Sequence, residues 1–149
     1  MKKLFLSLLC VSFFSIYQLQ AQSEGFELGV RLASGDGRAF GSIDGMFTLN
    51  DVNRVQADLA LDNNAIGLAA SYQWQSVLQS NFSWFIGPGA YIGFYDNYTP
   101  VKIEAVAGFE YHFEEIPLAL GLDVRPGIFI IDRDDFESNF GLNIRYVFP

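Results

Sequence analysis

Apolar and polar residues alternate strictly along much of this chain. In the segment Val101–Phe113, every odd-numbered residue is apolar or aromatic, whereas the even-numbered positions include Lys102, Glu104 and Glu110. Residues 136–148 repeat the pattern, with apolar residues at the even-numbered positions from 140 onward. A period of two places alternate side chains on opposite faces of an extended strand, so these segments are predicted to be β-strands and not helices.

The same pattern recurs in eight segments, each bounded by residues that favour turns. The predicted strands span residues 25–33, 40–49, 54–62, 65–75, 82–95, 101–113, 118–131 and 136–148. The connections are short and rich in Gly, Asn, Asp and Pro, as in Ser34-Gly35-Asp36-Gly37 and Asn63-Asn64. Short connections join antiparallel neighbours, so consecutive strands are expected to form hairpins.

Eight antiparallel strands of about ten residues match the smallest barrels that span a membrane, whose tilted strands are ~9–11 residues long. The sequence therefore predicts an all-β fold, an eight-stranded antiparallel up-and-down transmembrane β-barrel, in one domain over residues 22–149. A soluble lipocalin-like carrier is the main alternative, because it also has eight strands but turns its apolar face inward around a ligand.

The two faces of the predicted strands carry different residues. If the apolar face meets lipid, the opposite face brings thirteen titratable side chains into the lumen: Glu27, Arg31, Asp44, Arg54, Asp58, Lys102, Glu104, Glu110, His112, Asp123, Arg125, Glu137 and Arg145. Acids and bases are nearly balanced in this set, as expected of a buried network of ion pairs. Seven glycines on the same face would leave room for long side chains: Gly29, Gly67, Gly87, Gly89, Gly93, Gly121 and Gly141. The same charges would also suit the outer face of a soluble carrier, so charge balance does not separate the two folds.

Aromatic residues on the apolar face do separate them. An even number of strands places both chain termini at one end of a barrel, and ten aromatic residues collect at that end: Phe26, Phe47, Tyr72, Trp74, Phe82, Trp84, Tyr111, Phe113, Tyr146 and Phe148. Such bands lie at membrane–water interfaces, where amphipathic rings are favoured. A soluble barrel has no reason to collect them, so the membrane interpretation is preferred.

Two prolines lie inside predicted strands, Pro88 in the fifth and Pro126 in the seventh. Proline cannot donate to the hydrogen-bond ladder, and a closed barrel has no edge strand that could hold it. We therefore expect a bulge or kink at each position.

The N-terminus has the composition of a secretory signal peptide. Lys2 and Lys3 form a positive segment, and Leu4–Tyr17 is an apolar stretch that is shorter than the ~20 residues of a spanning helix. Cleavage is predicted after Ala21, which gives a signal peptide over residues 1–21 and a mature domain over residues 22–149.

Charge and cysteine content narrow the possible functions. Without Lys2 and Lys3, seven basic residues face 17 acidic ones, so the chain lacks a basic footprint for nucleic acid. The one cysteine, Cys10, lies in the predicted signal peptide. A disulfide scaffold, a thiolate nucleophile and a cysteine metal site are therefore excluded from the mature domain.

The segment Gly108–Ile128, which reads GFEYHFEEIPLALGLDVRPGI, has a distinctive order of features. An aromatic strand leads to the turn Glu115-Ile116-Pro117, and the next strand carries Asp123 and the pair Arg125-Pro126. In these residues the chain resembles small outer-membrane β-barrel proteins of the Bacteroidota. The resemblance implies that Pro126 is tolerated as a kink in a barrel strand, and it implies no particular activity.

Two groups of residues are candidates for chemistry. His112 is the only histidine, which excludes a multi-histidine metal site. With Glu110 on the same face it leaves a Ser-His-acid enzyme as an alternative, although no serine is evidently in register. Acidic residues collect at the predicted extracellular tips, where they could hold Ca²⁺ or Mg²⁺ and contact lipopolysaccharide phosphates: Asp36, Asp62, Asp96, Asp132, Asp134 and Asp135.

These observations assign no catalytic, cofactor-binding or metal-ligating residue, and no cofactor is expected. The preferred interpretation is an exported outer-membrane barrel of structural or surface-interaction type, with its lumen plugged by its own side chains. Its expected partners are outer-membrane lipids, lipopolysaccharide and the outer-membrane insertion machinery, with no nucleic acid. A small pore for ions or solutes, a lipid-modifying barrel enzyme and a soluble exported carrier stay open as alternatives.

Overall fold

The structure is a computed structural model that describes residues 25–149. The predicted signal peptide over residues 1–21 lies outside the described residues, so cleavage after Ala21 stays a prediction. Eight strands follow one another along the described chain: β1 Gly25–Gly35, β2 Arg38–Thr48, β3 Asn53–Asp62, β4 Ala65–Gln79, β5 Phe82–Tyr95, β6 Val101–His112, β7 Leu118–Ile131 and β8 Phe136–Phe148. Within residues 25–149, no helix is long and apolar enough to cross a membrane.

The strands form one closed barrel in sequence order. Each strand is antiparallel to the next, and β1 closes the barrel by pairing with β8, beginning at Phe26↔Phe148. Both ends of the described chain therefore lie at one end of the barrel, termed the terminal end, with the connections at residues 49–52, 80–81 and 113–117. The opposite end, termed the tip end, carries the connections at residues 36–37, 63–64, 96–100 and 132–135. The predicted eight-stranded up-and-down barrel is confirmed.

Strand boundaries agree with the predicted ones to within two residues except at the end of β4. The prediction ended this strand at residue 75, whereas β4 continues to Gln79. Its register against β5 shifts between Val77 and Gln79, which leaves Leu78 as the extra residue of a β-bulge. The bulge breaks the period of two, so alternation alone does not predict that the strand continues beyond residue 75.

Pro88 and Pro126 interrupt strand pairing without shifting the register. β5 is paired with β4 at Ile86 and at Gly89 but not at the two residues between them, one of which is Pro88. β7 has the same gap in its pairing with β6 at Pro126. Of the bulge or kink expected at each proline, the bulge is therefore wrong, and the kink stays a prediction. The missing N–H removes a short piece of one ladder, and the pairs on the two sides of each gap keep the same register. The β6–β7 register shifts only further along, between Lys102↔Phe129 and Val101↔Ile131.

The apolar faces of the strands point outward and the charged faces point into the lumen. On β1 the side chains of Leu28, Val30 and Leu32 are exposed, while those of Glu27 and Arg31 are buried. A soluble carrier would show the opposite arrangement, because its apolar face lines the lumen. The soluble alternative is therefore wrong, and the fold is that of a transmembrane β-barrel.

Aromatic residues at the terminal end contact one another around the outside of the barrel. Phe26 contacts Phe47 and Phe148, with ring centroids 4.9 and 5.4 Å apart, and Tyr146 contacts Phe148 at 4.9 Å. This row crosses β2, β1 and β8 without interruption. Further edge-to-face pairs on the same band are Tyr72–Trp74 and Tyr111–Phe113.

Candidate functional site in the barrel lumen

All thirteen titratable residues predicted to face the lumen lie on its inner face. Eleven are buried, and the other two, His112 and Glu137, are half-buried near the terminal end and the tip end respectively. The period of two along each strand was enough to predict this, because residues two positions apart share a face. An error of one position would have moved all the charges of that strand to the outside of the barrel.

Six polar residues form a ring across the terminal half of the lumen, in which hydrogen bonds join all neighbours except Arg145 and Glu110, which form an ion pair. This plug ring consists of Asp44, Arg54, Gln56, Gln73, Glu110 and Arg145, each at most 1% exposed. On one side of the ring, Gln73 Nε2 donates to Gln56 Oε1 over 2.6 Å, and Gln56 Nε2 donates to Asp44 Oδ1 over 2.9 Å. The two glutamines thus connect a carboxylate on β2 to the arginine side of the ring.

Two arginines complete the plug ring. Arg54 Nε donates to Gln73 Oε1 over 2.9 Å, and its Nη1 donates to Glu110 Oε1 over 2.5 Å. Arg145 Nη1 donates to Asp44 Oδ2 over 2.7 Å, and its Nη2 pairs with the second oxygen of Glu110. Charge-assisted bonds of this kind hold geometry more firmly than neutral ones. The ring therefore links β2, β3, β4, β6 and β8 across the lumen.

Apolar side chains fill the space beside the plug ring. Phe85, Met46 and Val106 are almost fully buried inside the lumen, and the guanidinium of Arg54 lies 4.4 Å from the centre of the Phe85 ring. These three residues were not predicted to matter in the lumen. Alternation along the strand was the signal that would have found Phe85, since it shares its face with the inward Gly87 and Gly89.

Inward glycines make room for long side chains, as predicted. A Cβ at position 141 would lie 2.5 Å from the Arg31 guanidinium, and a Cβ at position 93 would lie 2.8 Å from the Tyr91 hydroxyl. Neither position could hold a larger residue without moving its neighbour. Gly141 and Gly93 therefore set where Arg31 and Tyr91 lie in the lumen.

A second layer of ion pairs lies on the tip side of the plug ring. Arg31 binds Asp123 through two nitrogens, at 2.5 and 3.0 Å, and also donates to Asn139 over 2.7 Å. Arg125 Nη1 donates to Asp58 Oδ2 over 2.7 Å. Among the described residues, Arg125 Nη2 and Asp58 Oδ1 have no hydrogen-bond partner.

Between this second layer and the tip end, the lumen widens into a cavity of about 750 Å³, termed the vestibule. Its volume lies within the ~300–1,000 Å³ typical of small-molecule sites. One wall consists of small residues of β4, namely Ala65, Gly67 and Ala69, and another carries buried charges such as Lys102 and Arg125. The vestibule is thus a concave site with both small apolar and charged surfaces.

His112 belongs to the terminal end of the lumen and not to the outer surface. Its Nε2 lies 2.9 Å from Glu27 Oε1 and 3.7 Å from Glu110 Oε1. The expectation that no serine is in register was wrong, because Ser83 pairs directly with Glu110. The Ser83 hydroxyl accepts a hydrogen bond from Gln75 over 3.3 Å. His112 is bonded to carboxylates, and within residues 25–149 it forms no bond to a serine of the kind that activates a nucleophile.

Glu27, Glu110 and His112 are also close enough to share a metal ion, with ligand atoms within 4.8 Å of one another. Both carboxylates already accept bonds from guanidinium groups, Glu27 from Arg145 and Glu110 from Arg54 and Arg145. A cation would have to displace these bonds and would bring further positive charge against two arginines. The cluster is better explained as part of the ion-pair network.

The acidic tip residues do not form a cation site in the described chain. Asp132 accepts a hydrogen bond from the backbone N–H of Thr99 over 2.6 Å, and Asp135 pairs with Arg133 at 2.5 Å. Within residues 25–149, no three tip carboxylates converge at distances suited to one ion.

One comparison with a solved structure supports the fold, and the comparisons show nothing beyond it. No protein-family model matches the chain, and no curated protein matches it. Among solved structures, it is similar to a de novo designed transmembrane β-barrel, with a TM-score of 0.62 and 13% identity over 85% of this chain and 97% of the other. It also matches Ail, the attachment invasion locus protein of Yersinia pestis, with a TM-score of 0.47 and 11% identity over 83% of this chain and 97% of that one. The resemblance to barrels of the Bacteroidota stays a prediction.

Proposed function

We propose that this chain is a non-conducting outer-membrane β-barrel protein with a structural or surface-interaction role. The plug ring carries the proposal. Six side chains bonded across the lumen, together with Phe85 and Met46, fill the terminal half of a barrel whose interior is about wide enough for side chains alone. Ions would have no continuous aqueous path past this layer.

Three observations support an outer-membrane location. Apolar side chains cover the outside of the strands, aromatic residues form a band at the terminal end, and the N-terminal sequence predicts export. Barrels satisfy all backbone hydrogen bonds between strands, as a lipid environment requires. An exported chain would insert with its terminal end towards the periplasm and its tip end towards the outside.

The partners of such a barrel would be the surrounding lipids, lipopolysaccharide at the tip end and the outer-membrane insertion machinery. Carboxylates at the tips could reach lipopolysaccharide phosphates only through shared divalent cations, because both groups are negative. The short tip connections would present a small surface to other molecules.

The first experiment tests the closed barrel. Mature protein refolded in detergent is expected to run faster on a gel when unboiled and to shift on boiling. Folding in plain buffer without detergent, with no heat-dependent shift, would contradict a membrane barrel.

The second experiment tests the plug. The folded protein inserted into a planar bilayer is expected to show no stable unitary current steps. Regular steps in the wild-type protein would favour the small pore, with the vestibule as its outer half, and would overturn the proposed role of the plug ring.

A further inference from the structure

The paired positions of two neighbouring strands are termed a seam. The seam between β2 and β3 is incomplete at the tip end. Seven positions are paired, from Ser42↔Ala60 to Thr48↔Arg54, whereas every other seam has at least ten. The same register would place Gly41 opposite Leu61, but this pair is not formed. Residues 38–41 therefore keep a partner on β1 and have none on β3.

The space beside two glycines of β2 confirms that β3 has moved away. A Cβ at Gly45, where the seam is paired, would lie 3.8 Å from the carbonyl oxygen of Ala57 on β3. A Cβ at Gly41 would have only atoms of Leu32 and Arg31 within 4 Å, and both residues belong to β1. The barrel wall thus has a notch between Gly41 and Leu61.

The notch lies between the vestibule on the inside of the wall and an apolar groove on the outside. On the outside, a groove of about 290 Å³ is lined almost wholly by apolar side chains, including Val30, Leu32 and Leu59. The groove and the vestibule share Gly41, Ser42 and Leu61. A chain-like apolar molecule lying in the groove could therefore pass the notch and place its other end in the vestibule.

The rim of the vestibule carries unpaired charges of both signs. Asp36, Arg38 and Asp62 all line the vestibule and are exposed. Among residues 25–149, none of the three has an ion-pair partner within 4.0 Å, whereas Arg133 in the neighbouring β7–β8 connection is paired with Asp135. A group that carries both a negative and a positive charge would complement these side chains.

We propose that the notch and vestibule bind a single-chain zwitterionic phospholipid. Its acyl chain lies in the outer groove and crosses the notch over Gly41. Its phosphate binds Arg38, and its ammonium group binds Asp36 and Asp62. The proposal rests on the membrane location given under the proposed function, since the lipid enters sideways from the bilayer. An anionic lipid would leave the two aspartates without partners and in repulsion.

Native mass spectrometry tests the proposal. The heat-modifiable barrel, released from maltoside micelles, is titrated with lysophosphatidylethanolamine, and one retained lipid is expected. Gly41→Phe fills the notch and is expected to weaken binding about tenfold or more. Gly45→Phe is the matched control, because it lies on the same strand and face where the seam is paired, and its binding should stay within about twofold of wild type.

Two substitutions of exposed rim residues test the contacts with the lipid headgroup. Neither introduces a phenylalanine that the barrel would have to accommodate. Arg38→Ala should weaken binding of both lysophosphatidylethanolamine and lysophosphatidylglycerol, whereas Asp62→Asn should weaken only the first. Equal binding of the two lipids, with no effect of Asp62→Asn, would overturn the zwitterionic assignment. A heat-modifiable, non-conducting wild-type barrel that retains no lipid, or equal losses in the two phenylalanine variants, would overturn the site and leave the proposed function intact.

Discussion

The ring of Phe85 on β5 occupies the space in which a side chain at position 108 on β6 would lie. The two residues are directly paired, and a Cβ at Gly108 would be 2.6 Å from Phe85 Cζ. It would also collide with the backbone carbonyl of Leu122 on the other side. Gly108 is therefore the position that admits an aromatic ring into the plugged half of the lumen.

Gly108→Ala is expected to destabilise the barrel by about 1–3 kcal/mol, the usual effect of overpacking a rigid core. The measurement is the denaturant midpoint of unfolding, followed by loss of the heat-modifiable band. Gly121→Ala is the control, since it lies on the same inner face of the next strand and its Cβ would meet its neighbours at an ordinary 3.5 Å. Equal midpoints for the two variants would contradict the assigned contact.

Arg145 holds three carboxylates together, those of Glu27, Asp44 and Glu110. Arg145→Met leaves Asp44 buried without an ion-pair partner and removes one guanidinium from Glu27 and Glu110, so it is expected to lower the free energy of unfolding by roughly 3–5 kcal/mol. Arg133→Met removes an exposed pair with Asp135 and should cost no more than about 1 kcal/mol. Denaturant midpoints of both variants check this difference, and a larger loss in the Arg133 variant would refute it.

Removing the plug should turn the barrel into a channel. The triple variant Arg54→Ala, Glu110→Ala, Phe85→Ala deletes a base, an acid and a ring from the plugged half and keeps the charge balanced. We expect unitary current steps in planar bilayers, which the wild type lacks.

The control for the plug removes residues of the same three types from the vestibule side, as Lys102→Ala, Glu104→Ala, Phe129→Ala. Lys102 and Glu104 are also an ion pair, at 3.0 Å, so the charge again stays balanced. With the plug ring in place, this variant should show no steps. A folded plug variant that is as silent as its control would show that the ring does not close the lumen.

Sequence alternation predicted the faces of the strands but not the contacts inside the lumen. Arg145 and Asp44 are 101 positions apart and meet only because the barrel closes with a particular stagger between β8 and β2. A period of two says which side of the wall a residue is on, and nothing about its height relative to distant strands. The list of lumen charges was therefore predictable, whereas the plug ring was not.

Departures from regular strand pairing could not be predicted from the sequence for a related reason. Leu78 forms a bulge that has no mark except two consecutive apolar residues, and the notch at Gly41 depends on how far β3 continues beside β2. Pro88 and Pro126 suggested a bulge or kink because proline lacks an N–H and a closed barrel has no edge strand that could hold it. The effect of the missing N–H is confined to one ladder, and the other side of each strand stays paired.

The last prediction concerns the depth of the aromatic band in the bilayer. Trp74 and Trp84 are the two tryptophans of the chain, and both lie on the outer face near the terminal end, where the indole is partly exposed. At a membrane interface they would sit at headgroup level. Single-tryptophan variants, Trp74→Phe and Trp84→Phe, in bilayers of brominated phospholipid should be quenched more strongly by bromines near the headgroup than by bromines near the chain end. Stronger quenching from the chain end would place the band in the bilayer centre. Quenching by aqueous acrylamide as efficient as that of free tryptophan would mean that this face meets water, and the membrane placement would fail.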